Sequence, residues 1–206
     1  MQYEGEIQLI IGPMYSGKTT ELLRLYKRYY LAGKKCILIK HNDDNRYDPN
    51  YVVTHDQKKY KAISTKCLED VINNKDVITS EVICIDEIQF FLDAAPVCDR
   101  WANEGKIVIT AGLNGDCFRK PFTLTCEKTN KQVNPISELL AIVDMDKLTS
   151  LTAICKKTGN NASFTKRITE EKEVKVIGGS EKYIACSRKA YFSTDNIEGN
   201  SDINII

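Results

Sequence analysis

Residues 12–19, with the sequence GPMYSGKT, match the phosphate-loop pattern GxxxxGK[ST] in full. A β-branched run at 6–11 precedes the motif, and apolar residues at helical spacing follow it over 18–31. The glycines let backbone N–H groups converge on phosphate oxygens at the start of such a helix. In this pattern the lysine reaches the β- and γ-phosphates and the next hydroxyl faces Mg²⁺. We therefore predict a nucleotide-phosphate site formed by Gly12, Pro13, Met14, Tyr15, Ser16, Gly17, Lys18 and Thr19.

Short apolar runs alternate with helical stretches as far as about residue 148. The runs at 36–39, 82–85 and 106–112 are predicted strands, and the stretches at 66–74 and 92–103 are predicted helices. Apolar strands joined by crossover helices are typical of a parallel sheet. The predicted fold class is therefore α/β, with a phosphate-loop NTPase core built on a parallel sheet.

The pattern changes after residue 148. Short β-like pieces at 163–168, 173–177 and 183–186 are separated by glycines and asparagines, which indicates a small β-rich domain. The last dozen residues are polar. We predict an ATP-binding core at 1–148, a small domain at 149–194 and a flexible tail at 195–206.

Composition excludes several classes of protein. The 29 Lys and Arg residues nearly balance 28 Asp and Glu, and a net charge of +1 argues against binding to a nucleic-acid polymer or an anionic membrane. No apolar run has the length of a membrane span, and the N-terminus lacks the features of a secretory signal. The 8 cysteines are then expected to be reduced thiols, so we predict a cytoplasmic protein.

A second acidic element follows the predicted strand at 82–85, where Asp86 and Glu87 end an apolar run. Ligands of open α/β sheets bind just beyond the carboxyl ends of the strands. An aspartate at this position in a phosphate-loop protein is the usual second element of the magnesium site, together with Thr19. Successive side chains of a strand point in different directions, so one carboxylate can serve the metal while the other serves the acceptor.

Four ordered motifs resemble the type II thymidine kinase family, the cellular, bacterial and poxvirus-like lineage. They are GPMYSGKTT, IDEIQFF at 85–91, SFTKR at 163–167 and KEVKVIGGSEKY at 172–183. The similarity extends over about 6–192. It implies a phosphate-loop domain with a small lasso domain, and transfer of the γ-phosphate of ATP to the 5′-hydroxyl of thymidine. It further implies a homotetramer with thymidine triphosphate as feedback inhibitor.

The resemblance also implies roles for individual residues near the phosphates. Glu87 stands at the family's general-base position and Asp86 holds Mg²⁺ through water. Gln89 lies in the family's nucleotide-binding stretch. Asp44, Asn45 and Arg46 resemble the family's D-x-R element, in which Arg46 stabilises charge developing on the transferred phosphoryl group.

The nucleoside-binding residues are likewise implied by the resemblance. Backbone groups of Val174, Lys175, Val176, Ile177 and Gly178 read the base edge, Thr165 and Tyr183 face the nucleoside, and Phe90 lines the base pocket. Where the family has an aromatic residue that stacks on the base, this chain has Cys117, with Phe118 next to it. The sequence leaves open which of these two residues meets the base.

The structural zinc site of the family is the larger departure. Aligning Tyr183 and Tyr191 without gaps leaves Cys155 as the one retained ligand position, while the other three are occupied by Thr158, Ser187 and Ala190. Threonine is not a normal zinc ligand and alanine cannot be one. We therefore expect no structural zinc, with the hydroxyls of Thr158 and Ser187 bonded locally. A disulfide between Cys155 and Cys186 is the alternative, which a reducing compartment disfavours.

Two other functions stay open at this stage. The change at Cys117 is compatible with a broader deoxynucleoside kinase. A nucleotide-binding regulator without acceptor chemistry is the non-enzymatic alternative, and the complete set of Lys18, Thr19, Asp86 and Glu87 argues against it.

Overall fold

The computed structural model describes residues 5–43, 51–53, 59–127, 129–169 and 178–193. Its strands in chain order are β1 Glu6–Gly12, β2 Cys36–His41, β3 Tyr51–Val53, β4 Lys59–Lys61, β5 Ile63–Thr65, β6 Val82–Ile85, β7 Ile107–Leu113, β8 Leu124–Thr125, β9 Gln132–Val133, β10 Leu148–Ser150, β11 Ala153–Ile154, β12 Asn161–Ala162, β13 Phe164–Arg167 and β14 Tyr183–Cys186. Its α-helices are α1 Lys18–Leu31, α2 Lys75–Thr79, α3 Ala94–Asn103, α4 Pro135–Leu140 and α5 Arg188–Phe192. Short 3₁₀ turns occupy Glu69–Val71, Ile88–Phe90 and Met145–Lys147.

Six strands form one parallel sheet in the order β10-β1-β7-β6-β2-β5. All five strand pairs of this sheet are parallel, which confirms the predicted α/β class. The carboxyl ends of the neighbouring strands therefore lie along one edge of the sheet. The loop after β1 and the acidic pair after β6 both start from this edge.

The sheet is covered on both faces, which explains its continuous apolar strands. Alternate residues of β6 point to opposite sides: Ile83 and Ile85 pack with α3, while Val82 and Cys84 pack on the face covered by α1. On α1 the residues at helical spacing that face the sheet are Leu22, Leu23 and Leu25. On α3 the largest is Trp101, which is 1% exposed.

The predicted helix at 66–74 is wrong. The structure has the 3₁₀ turn Glu69–Val71 there, and the helix α2 begins only at Lys75. Asn74 is the reason for the later start, because its side chain accepts a hydrogen bond from Asp76 N and caps the new helix. The helix α4 was not predicted, although Asn134 and Pro135 form a cap and first-turn signal.

The chain beyond β10 builds two small antiparallel pairs, β11 with β12 and β13 with β14, followed by α5. The strand β14 coincides with the predicted strand at 183–186, and β13 is one residue shorter at each end than the predicted strand at 163–168. The predicted strand at 173–177 and the tail at 195–206 lie outside the described residues. The last strand of the parallel sheet, β10, ends just after the expected domain boundary at residue 148.

Candidate active site

The phosphate loop connects β1 to α1 in the geometry that the motif requires. Gly12 packs so tightly that an added Cβ would lie 2.6 Å from the Leu151 carbonyl oxygen and 2.6 Å from Ser16 Oγ. Gly17 has φ 83°, a left-handed conformation that glycine adopts without strain. The N-cap residue, Gly17, has no side chain that could cap α1, so it leaves the first backbone N–H groups of the helix to other partners. An uncapped helix start of this kind suits a phosphate group.

The loop folds back on itself through one carbonyl oxygen. Both Ser16 Oγ, at 2.9 Å, and Lys18 Nζ, at 2.8 Å, donate to the carbonyl oxygen of Pro13. Tyr15 has φ 65°, which is uncommon for a residue other than glycine, and its side chain is partly exposed. The ammonium group of Lys18 thus lies across the loop that would surround the phosphates.

Thr19 and Asp86 meet across the sheet edge. The hydroxyl of Thr19 donates to Asp86 Oδ2 at 3.0 Å and lies 3.3 Å from Oδ1. Asp86 is 5% exposed, and its backbone N–H donates to the carbonyl oxygen of Ile39. A carboxylate and a hydroxyl are hard oxygen ligands, and Mg²⁺ in nucleotide sites takes few ligands from the protein. The two residues present therefore fit a magnesium ion.

Glu87 follows Asp86 in a strained and buried position. Its backbone has φ 54° and ψ 42°, a left-handed conformation at a non-glycine residue. Its N–H donates to Asp86 Oδ1 at 3.1 Å. The two carboxylates have different side-chain partners, Thr19 for Asp86 and Gln89 for Glu87. Strain of this type is found where a functional side chain must be placed.

Gln89 fixes the carboxylate of Glu87. Its Nε2 donates to Glu87 Oε2 at 2.6 Å, and its Oε1 accepts from the N–H of Leu113 at 3.0 Å. The backbone donor of Leu113 assigns the amide orientation, since only the oxygen can face an N–H group. Gln89 is fully buried, and Gly112 makes room for it: a Cβ there would lie 2.8 Å from Gln89 Oε1. Sequence reasoning missed this pairing, for which one polar residue in an apolar stretch is the only signal.

Aromatic side chains surround the turn after Glu87. The ring of Phe90 packs edge-on against Phe122 at 5.3 Å between centroids, and His41 lies 5.6 Å from Phe90. Phe122 was not among the predicted site residues, because nothing in its local sequence separates it from a core phenylalanine. The predicted pocket residue Phe90 is thus half-buried within an aromatic wall.

Thr165 joins the β-rich part of the chain to the phosphate loop. Its hydroxyl oxygen accepts from the N–H of Met14 at 3.0 Å, and it is 5% exposed. It also borders a cavity of about 240 Å³, lined by the loop after β7, by α4 and by β13. The aromatic residues of this lining are Phe122 and Phe164.

Cys117 and Phe118 occupy different environments. Cys117 is 6% exposed, and burial raises the pKa of its thiol. Phe118 is 43% exposed and lies 5.8 Å from the guanidinium group of Arg167. That same group is 5.2 Å from the ring of Tyr183 and donates to its hydroxyl at 2.8 Å. The ring of Phe118 is thus linked through Arg167 to Tyr183, a residue predicted to face the nucleoside.

Several predicted site residues lie outside the described part of the chain. They are Asp44, Asn45, Arg46, Val174, Lys175, Val176 and Ile177. Gly178 is described, and it precedes the turn in which the N–H of Tyr183 donates to the carbonyl oxygen of Gly179. The roles of these residues stay predictions.

The positions of the expected zinc site form a compact group, the base cluster, made of Cys155, Thr158, Ser187 and Ala190. Thr158 Oγ1 and Ser187 Oγ lie 3.0 Å apart and share a hydrogen bond, as the sequence predicts. Ser187 also caps α5 by accepting from the N–H of Ala190. Both Cys155 and Cys186 are free thiols. The described residues contain no group of three or more His, Cys, Asp or Glu side chains that could hold a metal.

The pKa of Cys155 is shifted in the opposite direction from that of six other cysteines. Burial raises the pKa of its thiol, but N–H and hydroxyl donors from Ser187 and Thr158 outweigh that effect and lower the pKa from 9.0 to about 6. Since the two hydroxyls also bond to each other, only one of their two protons faces the sulfur at a time. Burial instead raises the pKa of the thiol at Cys36, Cys67, Cys84, Cys98, Cys117 and Cys186.

Within the described residues, none of the helices is long and apolar enough to cross a membrane.

Comparison with known proteins gives a consistent result over nearly the whole chain. The family model for thymidine kinase matches residues 5–191. Thymidine kinase 1 of Dictyostelium discoideum is 43% identical over 204 residues, covering 97% of this chain and 83% of the relative. The thymidine kinases of Myxoma virus (strain Lausanne) and Vaccinia virus (strain Western Reserve) are 45% and 44% identical over 190 residues, covering 92% of this chain and 98% of each viral protein. On this evidence the chain belongs to the thymidine kinase family.

Proposed function

We propose that this protein transfers the γ-phosphate of ATP to the 5′-hydroxyl of thymidine, giving dTMP for the salvage of DNA precursors. One observation carries the proposal: Glu87 directly follows Asp86, and Asp86 bonds to Thr19 of the phosphate loop. A carboxylate suited to an acceptor hydroxyl therefore lies beside a complete phosphate-binding element. Relatives that cover nearly the whole chain are named thymidine kinases.

The phosphate loop binds the donor. The uncapped start of α1 and the ammonium group of Lys18 neutralise the negative charge of the phosphates. Thr19 and Asp86 hold Mg²⁺, which supplies further charge neutralisation on the phosphate oxygens when it is bound. Asp44 and Arg46 complete the proposed phosphate site, with Arg46 acting on the charge that develops during transfer.

Glu87 acts as the general base. Its carboxylate orients the 5′-hydroxyl and accepts its proton as the bond to phosphorus forms. The hydrogen bond from Gln89 holds one carboxylate oxygen in place, so the side chain needs no reorientation before the proton moves. Both residues are buried, which limits competition from water.

The nucleoside lies between the two parts of the chain. Residues 1–148 bind the nucleotide, and residues 149–194 close over the thymidine through backbone groups of 174–178 and the side chains of Thr165 and Tyr183. Phe90 forms one wall of the base pocket, supported by Phe122. The bond between Thr165 and Met14 of the phosphate loop supports a nucleoside side that adjoins the donor side.

Assembly, regulation and location follow from the family resemblance and are proposed on that basis. The protein is a homotetramer that thymidine triphosphate inhibits, and it works in the cytoplasm. All 8 cysteines are free, which suits a reducing compartment. Light scattering of the purified protein and inhibition curves with thymidine triphosphate test the first two statements.

A single assay tests the function: phosphate transfer from ATP to each deoxynucleoside in turn. Thymidine as the preferred acceptor supports the proposal, and Lys18→Ala is the inactive control because it removes the cation facing the transferred phosphate. The buried Cys117 in place of a stacking aromatic favours a second candidate, a broader deoxynucleoside kinase. Comparable turnover of several deoxynucleosides would select that candidate, and no turnover of any would select a non-catalytic nucleotide-binding protein.

A further inference from the structure

The loop after β7 contains a tight turn at 116–120 that is organised by one buried carboxylate. Asp116 Oδ1 accepts from the N–H groups of Phe118, at 2.9 Å, and Lys120, at 2.7 Å. The N–H of Asp116 donates in turn to the carbonyl oxygen of Lys120. The hydrogen bonds within the 116–120 turn fix its shape. Its position relative to the rest of the site depends on contacts with other elements.

That outside contact comes from the end of α5. The hydroxyl of Tyr191 donates to the carbonyl oxygen of Cys117 at 2.7 Å, joining residues 74 positions apart in the chain. The guanidinium group of Arg119 lies 4.8 Å from the ring centre of Tyr191 and 4.3 Å from that of Phe192. Arg119 has φ 62°, a conformation that persists only when its surroundings hold it.

Tyr191 is itself fixed to β13. Its carbonyl oxygen accepts from Lys166 Nζ at 3.0 Å, and its ring packs against Phe164 at 5.9 Å between centroids. Lys166 and Phe164 flank Thr165 on this strand. Tyr191 thus connects the 116–120 turn to the strand that carries Thr165.

The two elements that Tyr191 connects border the same cavity. Asp116, Arg119 and Lys120 of the turn line it together with Thr165 of β13. Phe122, whose ring packs against Phe90, also lines the cavity and lies two residues after the turn. A shift of the turn would therefore change the nucleoside side of the site while the phosphate loop keeps its own contacts.

We infer that Tyr191 is a positioning residue for the nucleoside, acting through its hydroxyl on the 116–120 turn. The inference rests on the proposed function for the identity of the ligand. It concerns acceptor binding, since the hydroxyl of Tyr191 bonds to the 116–120 turn, whereas the bond of Tyr191 to Lys166 of β13 uses its backbone carbonyl and does not depend on the hydroxyl.

The test uses the full chain with Tyr191→Phe, which removes one hydroxyl and keeps the ring. We expect KM for thymidine to rise about fivefold, the effect of one hydrogen bond of ordinary net strength. KM for ATP and kcat should stay unchanged. Tyr30→Phe is the matched control, because Tyr30 is 60% exposed on α1 and should leave all three constants unaltered.

A second measurement does not depend on turnover. Hydrogen exchange of the Phe118 and Lys120 amides should be about fivefold faster in Tyr191→Phe than in the wild type, because the turn opens more readily. This measurement still decides the inference if the wild type does not phosphorylate thymidine, a result that would overturn the proposed function by itself. Unchanged exchange and an unchanged KM for thymidine would overturn the positioning role. A lower melting temperature, together with equal changes in KM for thymidine and KM for ATP, would show that Tyr191 has a merely structural role. That result would also overturn the positioning role.

Discussion

The phosphate end of the sheet and the base cluster are both sites that the family resemblance predicts, yet only one of them keeps its residue types. At the phosphate end the chain has Lys18, Thr19, Asp86 and Glu87, each with the charge or hydroxyl that phosphoryl transfer requires. In the base cluster Cys155 alone matches the expected ligands. The folded chain nevertheless brings the four base-cluster positions together.

The difference shows what each region demands of its side chains. At the phosphate end a substitution removes chemistry that acts on a ligand, and no neighbouring group can replace it. In the base cluster the side chains only have to fill space and satisfy hydrogen bonds. The Thr158–Ser187 bond and the buried Ala153, Ala162, Cys186 and Ala190 provide such a hydrogen bond and such packing.

The largest expected effect is at the phosphate end. Glu87→Gln should fold and bind ATP while kcat falls about 10²–10⁴-fold, because the amide cannot accept the proton of the hydroxyl. Calorimetry with ATP and steady-state turnover with thymidine measure the two properties separately. Turnover close to that of the wild type would remove Glu87 from its role.

Gln89→Leu should have the next largest effect, lowering kcat about 10- to 100-fold while ATP affinity is kept. The substitution removes the bond to a charged group and leaves the N–H of Leu113 without its acceptor. Gln8→Leu is a matched control, because Gln8 donates to Glu6 at the same distance, 2.6 Å, at the opposite end of β1. An equal loss of kcat in Gln89→Leu and Gln8→Leu would mean that the bond from Gln89 contributes only to stability.

In the base cluster we expect changes of stability and none of chemistry. Ser187→Ala should lower the free energy of unfolding by about 2 kcal/mol, since it removes a helix cap and the bond to Thr158. Thr158→Val should cost about 1 kcal/mol. Urea denaturation measures the loss of unfolding free energy in each single variant and in the double variant. The two single losses should add up to more than the loss in the double variant, because the two hydroxyls share one bond. The exposed Thr79→Val serves as control, and strict additivity would contradict the shared bond.

A dependence of stability on pH is also expected in the base cluster. The folded pKa of Cys155 is lowered to about 6 from an unfolded value of 9.0, so the stability that its thiolate contributes is complete above pH 9 and is lost as pH falls toward 6. The difference in unfolding free energy between wild type and Cys155→Ala should therefore grow between pH 6 and pH 8, by at most about 1.4 kcal/mol per pH unit. Burial raises the pKa of Cys98, so Cys98→Ala should show a constant difference over this range. If the difference in unfolding free energy between wild type and Cys155→Ala is also constant over this range, Cys155 does not ionise to a thiolate with a lowered pKa.

Sequence reasoning predicts the parts of the molecule in which a local pattern determines the structure. The helix at 18–31 and the strands at 82–85 and 183–186 are found at the predicted bounds, because apolar spacing and flanking glycines act within a few residues. The bond from Gln89 to Glu87 could not be predicted in the same way. It depends on Leu113 and Gly112, which the parallel pairing of β6 with β7 brings to the site.

The failures have physical causes of the same kind. The helix predicted at 66–74 does not form, because Asn74 caps a helix that begins only at Lys75. The hydrogen bond between Tyr191 and Cys117 joins residues that no sequence pattern relates. The low pKa of Cys155 depends on two segments, at 155–158 and 187–190, meeting across the small domain. Long-range contacts of this kind follow from the whole fold.

Chelation tests the comparison of the two regions most directly. The protein is incubated with excess chelator, and thymidine phosphorylation and the melting temperature are measured before and after magnesium alone is restored. The account predicts that activity disappears and returns in full with magnesium, while the melting temperature stays constant throughout. A melting temperature that falls with chelator, or activity that returns only when zinc is added, would contradict it.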